Sequence, residues 1–177
     1  MVGVFGVHTK KVVVLPYDIR WKCAYEAIKR EIEDALGDLI IGIEHVGSTS
    51  VEGLAAKPII DIDVIIEDRA MLDAVISGLN GIGYIHEGNL GIKDIEAFKY
   101  EGKQHLQEHH LYVCPRHSEE LRRHITFRDF LRNNPEAARK YAAVKKIAAQ
   151  TFPNDIEMYI AYKSSCIAEL YDMCGLK

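Results

Sequence analysis

Two aspartates, Asp61 and Asp63, stand inside an apolar run with the sequence PIIDIDVII, residues 58–66. The run predicts a β-strand with Pro58 at its first position, where the missing N–H costs no ladder hydrogen bond. Because side chains alternate along a strand, the apolar residues share one face and the two aspartates share the other. Carboxylates in apolar surroundings are costly unless a cation balances them. This segment therefore requires a sheet with one apolar face and one face built around charge.

The paired carboxylates predict a metal site. Two residues of strand rise separate them by about 7 Å, and oxygen ligands of this kind suit Mg²⁺ or Mn²⁺. A bound ion would neutralise the pair and polarise a phosphate. The alternative is an exposed sheet face with two hydrated aspartates, which the apolar neighbours disfavour. We therefore expect Asp61 and Asp63 to be the catalytic metal ligands.

A Gly-Ser turn lies upstream of this strand. Gly47 and Ser48 follow a predicted strand at 39–46, and twelve residues separate Ser48 from Asp61. A glycine lets a phosphate approach the backbone, and the turn amides can hold its oxygens together with the hydroxyls of Ser48 and Ser50. The spacing of glycines fits neither a Walker A loop nor a nucleophile elbow. The turn is therefore predicted to bind phosphate in a different way from those motifs.

Hydrophobic periodicity predicts the remaining elements. The first part of the chain carries helices at 19–36 and 70–79 and short strands at 83–86, 95–100 and 109–114. The last part carries helices at 118–133, 135–150 and 154–173, with Asn134 as the cap of the middle helix. We expect a single domain over 1–177, with an α/β (α+β) core at 1–115 and a C-terminal helical cap at 116–177.

Charge and composition limit the classes of partner. The net charge is −4, which disfavours general nucleic-acid binding, yet residues 116–146 carry nine Lys or Arg against four acids. That basic segment is either a hydrated helix face or one side of a site for a polyanion. The four cysteines form no C-x-x-C pair, no apolar run is long enough to span a membrane, and the N-terminus lacks signal-peptide features. We expect a cytoplasmic protein with no membrane partner.

Several segments resemble a known family. The Gly-Ser turn followed by D-x-D resembles the active-site signature of the nucleotidyltransferase superfamily, the polymerase-beta-like fold. From about Val14 to Tyr171 the chain more closely resembles the GrpB family, which also occurs as a domain fused to dephospho-CoA kinase. The matching segments are EHVGSTSV…LAAKPIIDIDV, HHLYVC, LRRHITFRDFLRNNPEAARKYAAVKK and YIAYKSS. The resemblance implies a mixed sheet flanked by helices.

The resemblance also implies roles for basic residues. Lys57, in the AAKP segment, either contacts a phosphate or is a hydrated loop lysine. His45 either orients a ligand or is held by a hydrogen bond at a strand end. In the superfamily, basic residues on C-terminal helices often reach a triphosphate, and the matching helical positions here are Arg123, Arg128, Tyr141, Lys145 and Lys163. Tyr141 and Lys145 are four residues apart, so we expect them to share one helical face that looks toward the aspartates.

One feature departs from active members of the superfamily, which usually carry a third acid on a later strand. The corresponding strand here is HHLYVC, residues 109–114. Alternation turns Leu111 and Val113 toward the core and His110 toward the aspartates. We expect His110 to complete the metal site, which would shift its preference from Mg²⁺ toward transition metals.

Two functions remain open. The first is a metal-dependent nucleotidyltransferase that moves a nucleotidyl group from a nucleoside triphosphate to an unknown acceptor. The second is a non-catalytic module that binds a nucleotide or other phosphorylated small molecule, such as an accessory to a kinase in coenzyme A metabolism. The turn and the D-x-D pair favour the first function, and the missing third acid favours the second.

Overall fold

The computed structural model of the protein describes residues 11–176. Five strands in this range form one sheet: β1 (Gly42–Val46), β2 (Ile60–Ile66), β3 (Tyr84–Gly88), β4 (Glu96–Tyr100) and β5 (His109–Pro115). Five α-helices accompany them: α1 (Arg20–Leu36), α2 (Leu72–Gly81), α3 (Glu119–Asn133), α4 (Pro135–Thr151) and α5 (Ile156–Met173). The prediction of an α+β fold with a mixed sheet and flanking helices is confirmed.

Strand β2 lies inside the sheet, whose order is β1-β2-β5-β4-β3. It runs antiparallel to β1 and parallel to β5. The register pairs Asp61 with His110 and Asp63 with Tyr112. Because paired residues of neighbouring strands point to the same side of a sheet, all four side chains lie on one face, which we call the aspartate face. The predicted orientation of His110 is confirmed.

The opposite face of the sheet carries the main core. Its strand residues include Ile60, Ile62, Val64, Leu111 and Val113, each at most 1% exposed. They pack against α1 and α2, whose contributions include Ile28, Ile32, Val75 and Leu79. Burial of this apolar surface is the main force that stabilises the sheet–helix layer. The C-terminal helices lie over the other side, and their side chains reach the aspartate face.

Some predicted boundaries were wrong. The chain at 37–39 forms a 3₁₀ turn that begins at Gly37, so β1 begins at Gly42 rather than at residue 39. Asn134 does not cap α4 with its side chain; its Nδ2 donates to the carbonyl of Phe130, 2.8 Å away, and so closes α3. Helix α5 begins two residues later than predicted, with the Asp155 carboxylate accepting from the Met158 amide at 3.0 Å.

The prediction about a signal peptide concerns the first ten residues, which lie outside the described range. Among the helices of residues 11–176, none combines the length and the apolar composition that a bilayer crossing needs.

Candidate functional site

A cavity of about 240 Å³ lies between the aspartate face and the three C-terminal helices. The sheet and its turns contribute one wall and the helices contribute the other, so residues far apart in sequence meet here. Ten of the predicted site residues line it: Gly47, Ser48, Lys57, Asp61, His110, Arg123, Arg128, Tyr141, Lys145 and Lys163. The basic segment of the chain therefore faces the cavity with part of its surface rather than pointing wholly into solvent.

The Gly-Ser turn is held against β2. Gly47 has a φ of 68°, and a Cβ built on it would stand 2.1 Å from Oδ2 of Asp61. A side chain at this position would therefore collide with the carboxylate and strain the backbone. Ser50 donates its hydroxyl to the Gly47 carbonyl at 2.6 Å, which closes the turn from within. Its predicted contact with phosphate stays a prediction.

Two arginines of α3 fasten the turn to the helical layer. Arg132 donates to the Ser50 carbonyl through Nη2 at 2.9 Å and Nε at 3.2 Å. Arg128 donates to the His45 carbonyl at 3.0 Å and pairs with Glu44 and with its neighbour Asp129. Arg128 lines the cavity but already has three acceptors, so the structure gives it a positioning role.

His45 stabilises the strand end that leads into the turn. Its Nε2 donates to Thr49 Oγ1 at 3.0 Å, since that hydroxyl itself donates to the Ile59 carbonyl at 3.1 Å. Its ring stacks on Tyr25 with centroids 4.7 Å apart. Burial lowers the pKa of His45 to about 4. Of the two predicted roles of His45, the strand-end hydrogen bond is confirmed.

Each aspartate of β2 accepts a hydrogen bond from a different histidine. Nδ1 of His110 lies 2.8 Å from Oδ1 of Asp61, and Nδ1 of His124 lies 2.7 Å from Oδ2 of Asp63. Asp63 is fully buried. Burial alone would raise the pKa of Asp61, but the hydrogen bond and charge of His110 lower it overall. Hydrogen bonds from two imidazoles therefore stabilise the carboxylates for which the sequence analysis expected a metal ion.

His124 was missed by the reasoning from sequence. Burial works to lower its pKa, yet the charge of Asp63 and the hydrogen bond to it raise the pKa of His124 above the ordinary value. The signal was present as a helical face: Glu120, His124, Phe127 and Leu131 recur at the spacing of one side of α3, and all four line the cavity.

The donor chemistry at the aspartates fits a divalent cation bound together with phosphate. Oδ1 of Asp63 is buried and has no hydrogen-bond partner within residues 11–176, which is the kind of atom that an ion would satisfy. In the same range, no group of three or more His, Cys, Asp or Glu side chains is arranged to hold a metal by itself. Mg²⁺ needs no such group, because it commonly uses one or two carboxylates plus substrate phosphates and water. The metal roles of Asp61, Asp63 and His110 stay predictions.

Two lysines place their amine groups in the wall of the cavity. Lys145 is 2% exposed, and its Nζ has no hydrogen-bond partner in the described part of the chain. Burial lowers the pKa of Lys145 well below its usual value, the charge of Lys163 adds to this, and Asp61 opposes it. Burial and the charge of Lys57 likewise lower the pKa of Lys163 to about 8. Both ammonium groups would be stabilised by an anion in the cavity.

The lysines are framed by tyrosines. Nζ of Lys145 lies 4.5 Å from the centroid of the Tyr141 ring, and Nζ of Lys163 lies 4.2 Å from that of Tyr159. Burial raises the pKa of the Tyr141 phenol, and the nearby Ser48 side chain partly opposes this, so α4 approaches the turn. The predicted pairing of Tyr141 and Lys145 on one helical face toward the site is confirmed.

Neither β4 nor β5 presents a carboxylate on the aspartate face. Beside β2, these strands place His110, Tyr112 and Ala97 there. Glu96 lies on the opposite face and pairs with Arg69 at 2.9 Å and His86 at 2.8 Å. The third acid expected in active members of the superfamily is therefore not supplied by β4 or β5.

Comparison with known proteins identifies relatives that match most of this chain. The profile described as GrpB protein matches residues 11–173. A relative from Halalkalibacterium halodurans, UPF0157 protein BH1888, is 34% identical over 96% of this chain and 85% of its own length. UPF0157 protein YqkA of Bacillus subtilis is 32% identical over 94% of this chain, which spans 48% of that protein. A dephospho-CoA kinase of Mycolicibacterium paratuberculosis is 26% identical over 89% of this chain and 44% of the kinase.

Several solved structures resemble this one. The crystal structure of conserved protein GrpB from Enterococcus faecalis has a TM-score of 0.81 and 32% identity, covering 92% of this chain and 96% of that one. The GLD-2/RNP-8 complex has a TM-score of 0.55 with 11% identity, covering 82% and 59%. The Cid1 poly(U) polymerase has a TM-score of 0.52 with 10% identity, covering 76% and 46%. These two remote likenesses show a shared nucleotidyltransferase-like fold, whereas the profile match and the closer relatives show that the chain belongs to the GrpB family.

Proposed function

We propose that the protein is a metal-dependent nucleotidyltransferase that binds a nucleoside triphosphate in the cavity and transfers its nucleotidyl group to an acceptor in the cytoplasm. The observation that carries the proposal is the meeting of three features in one cavity: the Gly47–Ser48 turn, Asp61, and the buried amine of Lys145. A triphosphate offers oxygens to the turn and negative charge to the lysines. The nucleotidyltransferase-like fold supports the proposal by analogy.

The chain's own residues would position the triphosphate. The turn amides and the Ser48 hydroxyl would hold the β- and γ-phosphates, while Lys145 and Lys163 neutralise their charge. Asp61 and Asp63 would hold Mg²⁺ or Mn²⁺, which supplies further charge neutralisation when it is bound. An acceptor hydroxyl or phosphate then attacks the α-phosphorus, and pyrophosphate leaves. Catalysis of this kind rests on positioning and electrostatic stabilisation.

The side chains around the aspartates would keep this geometry. His110 and His124 orient the carboxylates through their Nδ1 hydrogen bonds. Arg128 and Arg132 keep the turn at a fixed distance from α3. His110 is also the candidate third metal ligand, through an Nε2 that is buried without a partner among residues 11–176.

A second function, the binding of a phosphorylated ligand without turnover, is favoured by one observation. Where a third carboxylate would stand, β5 carries His110 and Tyr112, and neither brings negative charge. A module of this kind would sense or present a nucleotide or coenzyme A precursor. The likeness to a dephospho-CoA kinase suggests an accessory role beside such a kinase.

Pyrophosphate release separates the two functions. Purified protein is incubated with each nucleoside triphosphate, Mg²⁺ or Mn²⁺ and mixtures of small-molecule and RNA acceptors, and pyrophosphate is followed with time. Turnover that is lost in Asp61→Asn supports the transferase. Saturable nucleotide binding without any release across the acceptors would support the binding module instead. The absence of both would refute the site.

A further inference from the structure

Lys145 has the surroundings of a reactive amine. Its side chain is 2% exposed, and Nζ is buried without a hydrogen-bond partner among the described residues. Nζ lies 4.5 Å from the centroid of the Tyr141 ring, and the charges of Lys163 on α5 and Asp61 on β2 act on it without a hydrogen bond. A buried ammonium with no hydrogen bond is costly, so such a lysine readily gives up its proton. The uncharged amine is the nucleophilic form of lysine.

The neighbouring lysine strengthens this property. Lys163 lines the same cavity, and its charge lowers the pKa of Lys145 in addition to the effect of burial, while Asp61 works in the opposite direction. A desolvated lysine beside a second cationic group is the arrangement that activates amines for attack on carbonyl carbon. Burial also distinguishes the two lysines. Because Lys163 is more exposed than Lys145, Lys163 is the better candidate to keep its positive charge.

The cavity supplies an anchor for phosphate next to this amine. The Gly47–Ser48 turn and Lys163 line it, together with apolar side chains of α5 at Ile156 and Ile160. A small ligand that carries a phosphate and an apolar body could place one end on the anchor and the other at Lys145. The volume of about 240 Å³ admits a molecule of modest size.

We propose that Lys145 forms an imine with the carbonyl group of a phosphorylated aldehyde bound in this cavity. Nζ attacks the carbonyl carbon, and one proton passes from nitrogen to the carbonyl oxygen to give a carbinolamine. The hydroxyl then leaves with the second nitrogen proton as one water, and the C=N bond forms. The step needs no oxidant or reductant. Imine formation and the proposed nucleotidyl transfer would use the same contacts to phosphate. Imine formation requires neither the metal nor a nucleotide.

Pyridoxal phosphate is a suitable probe, since borohydride reduction converts its imines into stable adducts. Wild-type protein is treated at neutral pH for increasing times, reduced and mapped by peptide mass spectrometry. Lys145 should be modified at least about tenfold faster than Lys146, because each unit by which a pKa falls raises the uncharged fraction about tenfold. Pyridoxal without its phosphate should react more slowly at Lys145, and tripolyphosphate should protect that residue.

The exposed neighbour Lys146 provides a matched control. Lys145→Met should abolish the fast phase of modification, whereas Lys146→Met should leave it unchanged. Comparable rates at Lys145 and Lys146 in the wild type, or equal rates with pyridoxal and its phosphate, would overturn the proposal. The mapping of wild-type protein decides this even if a variant folds poorly. If calorimetry shows binding of a nucleoside triphosphate but Lys145 modification has no fast phase, the amine chemistry is refuted. The proposed function would still stand.

Discussion

Gly47 lies against the carboxylate of Asp61 so closely that the two residues form one structural unit. A Cβ at position 47 would stand 2.1 Å from Oδ2 and 2.8 Å from Cγ of Asp61. The backbone at Gly47 is also left-handed, with a φ of 68°. The turn and the aspartate strand are therefore brought together by the absence of a side chain, and that contact sets the distance between a phosphate on the turn and a charge on the strand.

Replacing Gly47 by alanine should have two effects, backbone strain at position 47 and displacement of the Asp61 carboxylate. Gly47→Ala should destabilise the fold by more than the roughly 1–2 kcal/mol of a left-handed residue, because Asp61 must also move. Gly53→Ala is the matched control, since Gly53 has a φ of 80° and open space within 4 Å of its Cβ position. Urea unfolding and binding of a triphosphate analogue measure the two effects. Equal losses in both variants would show that the contact with Asp61 is unimportant.

The aspartate pair should make the fold sensitive to divalent cations. With a non-hydrolysable triphosphate present, Mg²⁺ or Mn²⁺ should stabilise the wild type by mass action, about 2.7 kcal/mol at a hundredfold excess over Kd. The double variant Asp61→Asn/Asp63→Asn should lose this response, whereas Asp34→Asn, exposed on α1, should keep it. Thermal melts with and without metal give the answer. An unchanged response in the double variant would mean that the ion binds elsewhere.

Removing the charge of Lys145 should stabilise the empty protein. The pKa of Lys145 lies well below the ordinary 10.5 in the folded state, so the unfolded chain binds more protons and the cost to stability grows as pH falls. Lys145→Met should therefore raise the urea midpoint in neutral and mildly acidic buffer, with the gain shrinking as pH approaches 10.5. Lys146→Met should show no such trend. A loss of stability in Lys145→Met at neutral pH would contradict the description of this residue.

His109 should make the fold sensitive to acid; it adjoins His110 on β5 but points to the opposite face of the sheet. Its Nδ1 donates to the Gln107 carbonyl at 2.7 Å, so Nε2 accepts from the Tyr84 hydroxyl at 2.8 Å and the ring is neutral. Burial lowers the pKa of His109 from 6.5 to about 4. The unfolded chain protonates first as pH falls, so stability is complete above about 6.5 and declines toward 4.

The size of that decline is on the order of 3 kcal/mol, from the shift in pKa at 1.36 kcal/mol per unit. His109→Gln should remove this part of the pH dependence in urea titrations, although it lowers stability at neutral pH by disturbing the Tyr84 contact. His117→Gln, at an exposed histidine, should leave the dependence unchanged. Parallel curves for wild type and His109→Gln between pH 6.5 and 4 would disprove the neutral assignment.

Much of the site on the sheet could be predicted from sequence, because strand alternation is a local rule. The placement of Asp61, Asp63 and His110 on one face required the period of two and the apolar character of their neighbours. The helical face that carries Tyr141 and Lys145 followed in the same way from the helical period. These predictions depended on short stretches of chain and needed no knowledge of how elements meet.

Contacts between distant elements could not be predicted. His124 meets Asp63 across a separation of 61 residues, and that meeting depends on how α3 is rotated about its axis over the sheet. Leu121 and Leu131, both buried, help to set this rotation. Asn134 occupies the cap position of α4 as predicted, but its side chain bonds to α3 instead. A residue between two adjacent helices can bond to either of them, and the choice depends on tertiary geometry.

Binding of a triphosphate at the buried lysine tests the central claim most directly. A non-hydrolysable nucleoside triphosphate is titrated with Mg²⁺ into wild type, Lys145→Met and Lys146→Met by calorimetry, and the matching nucleoside is titrated as a reference. We predict saturable binding to wild type and Lys146→Met, and a loss in Lys145→Met of roughly 1–3 kcal/mol, typical of a hydrogen bond to a charged group. The nucleoside should bind weakly and equally to all three proteins. Equal affinity of wild type and Lys145→Met for the triphosphate, or no binding to either, would contradict the account.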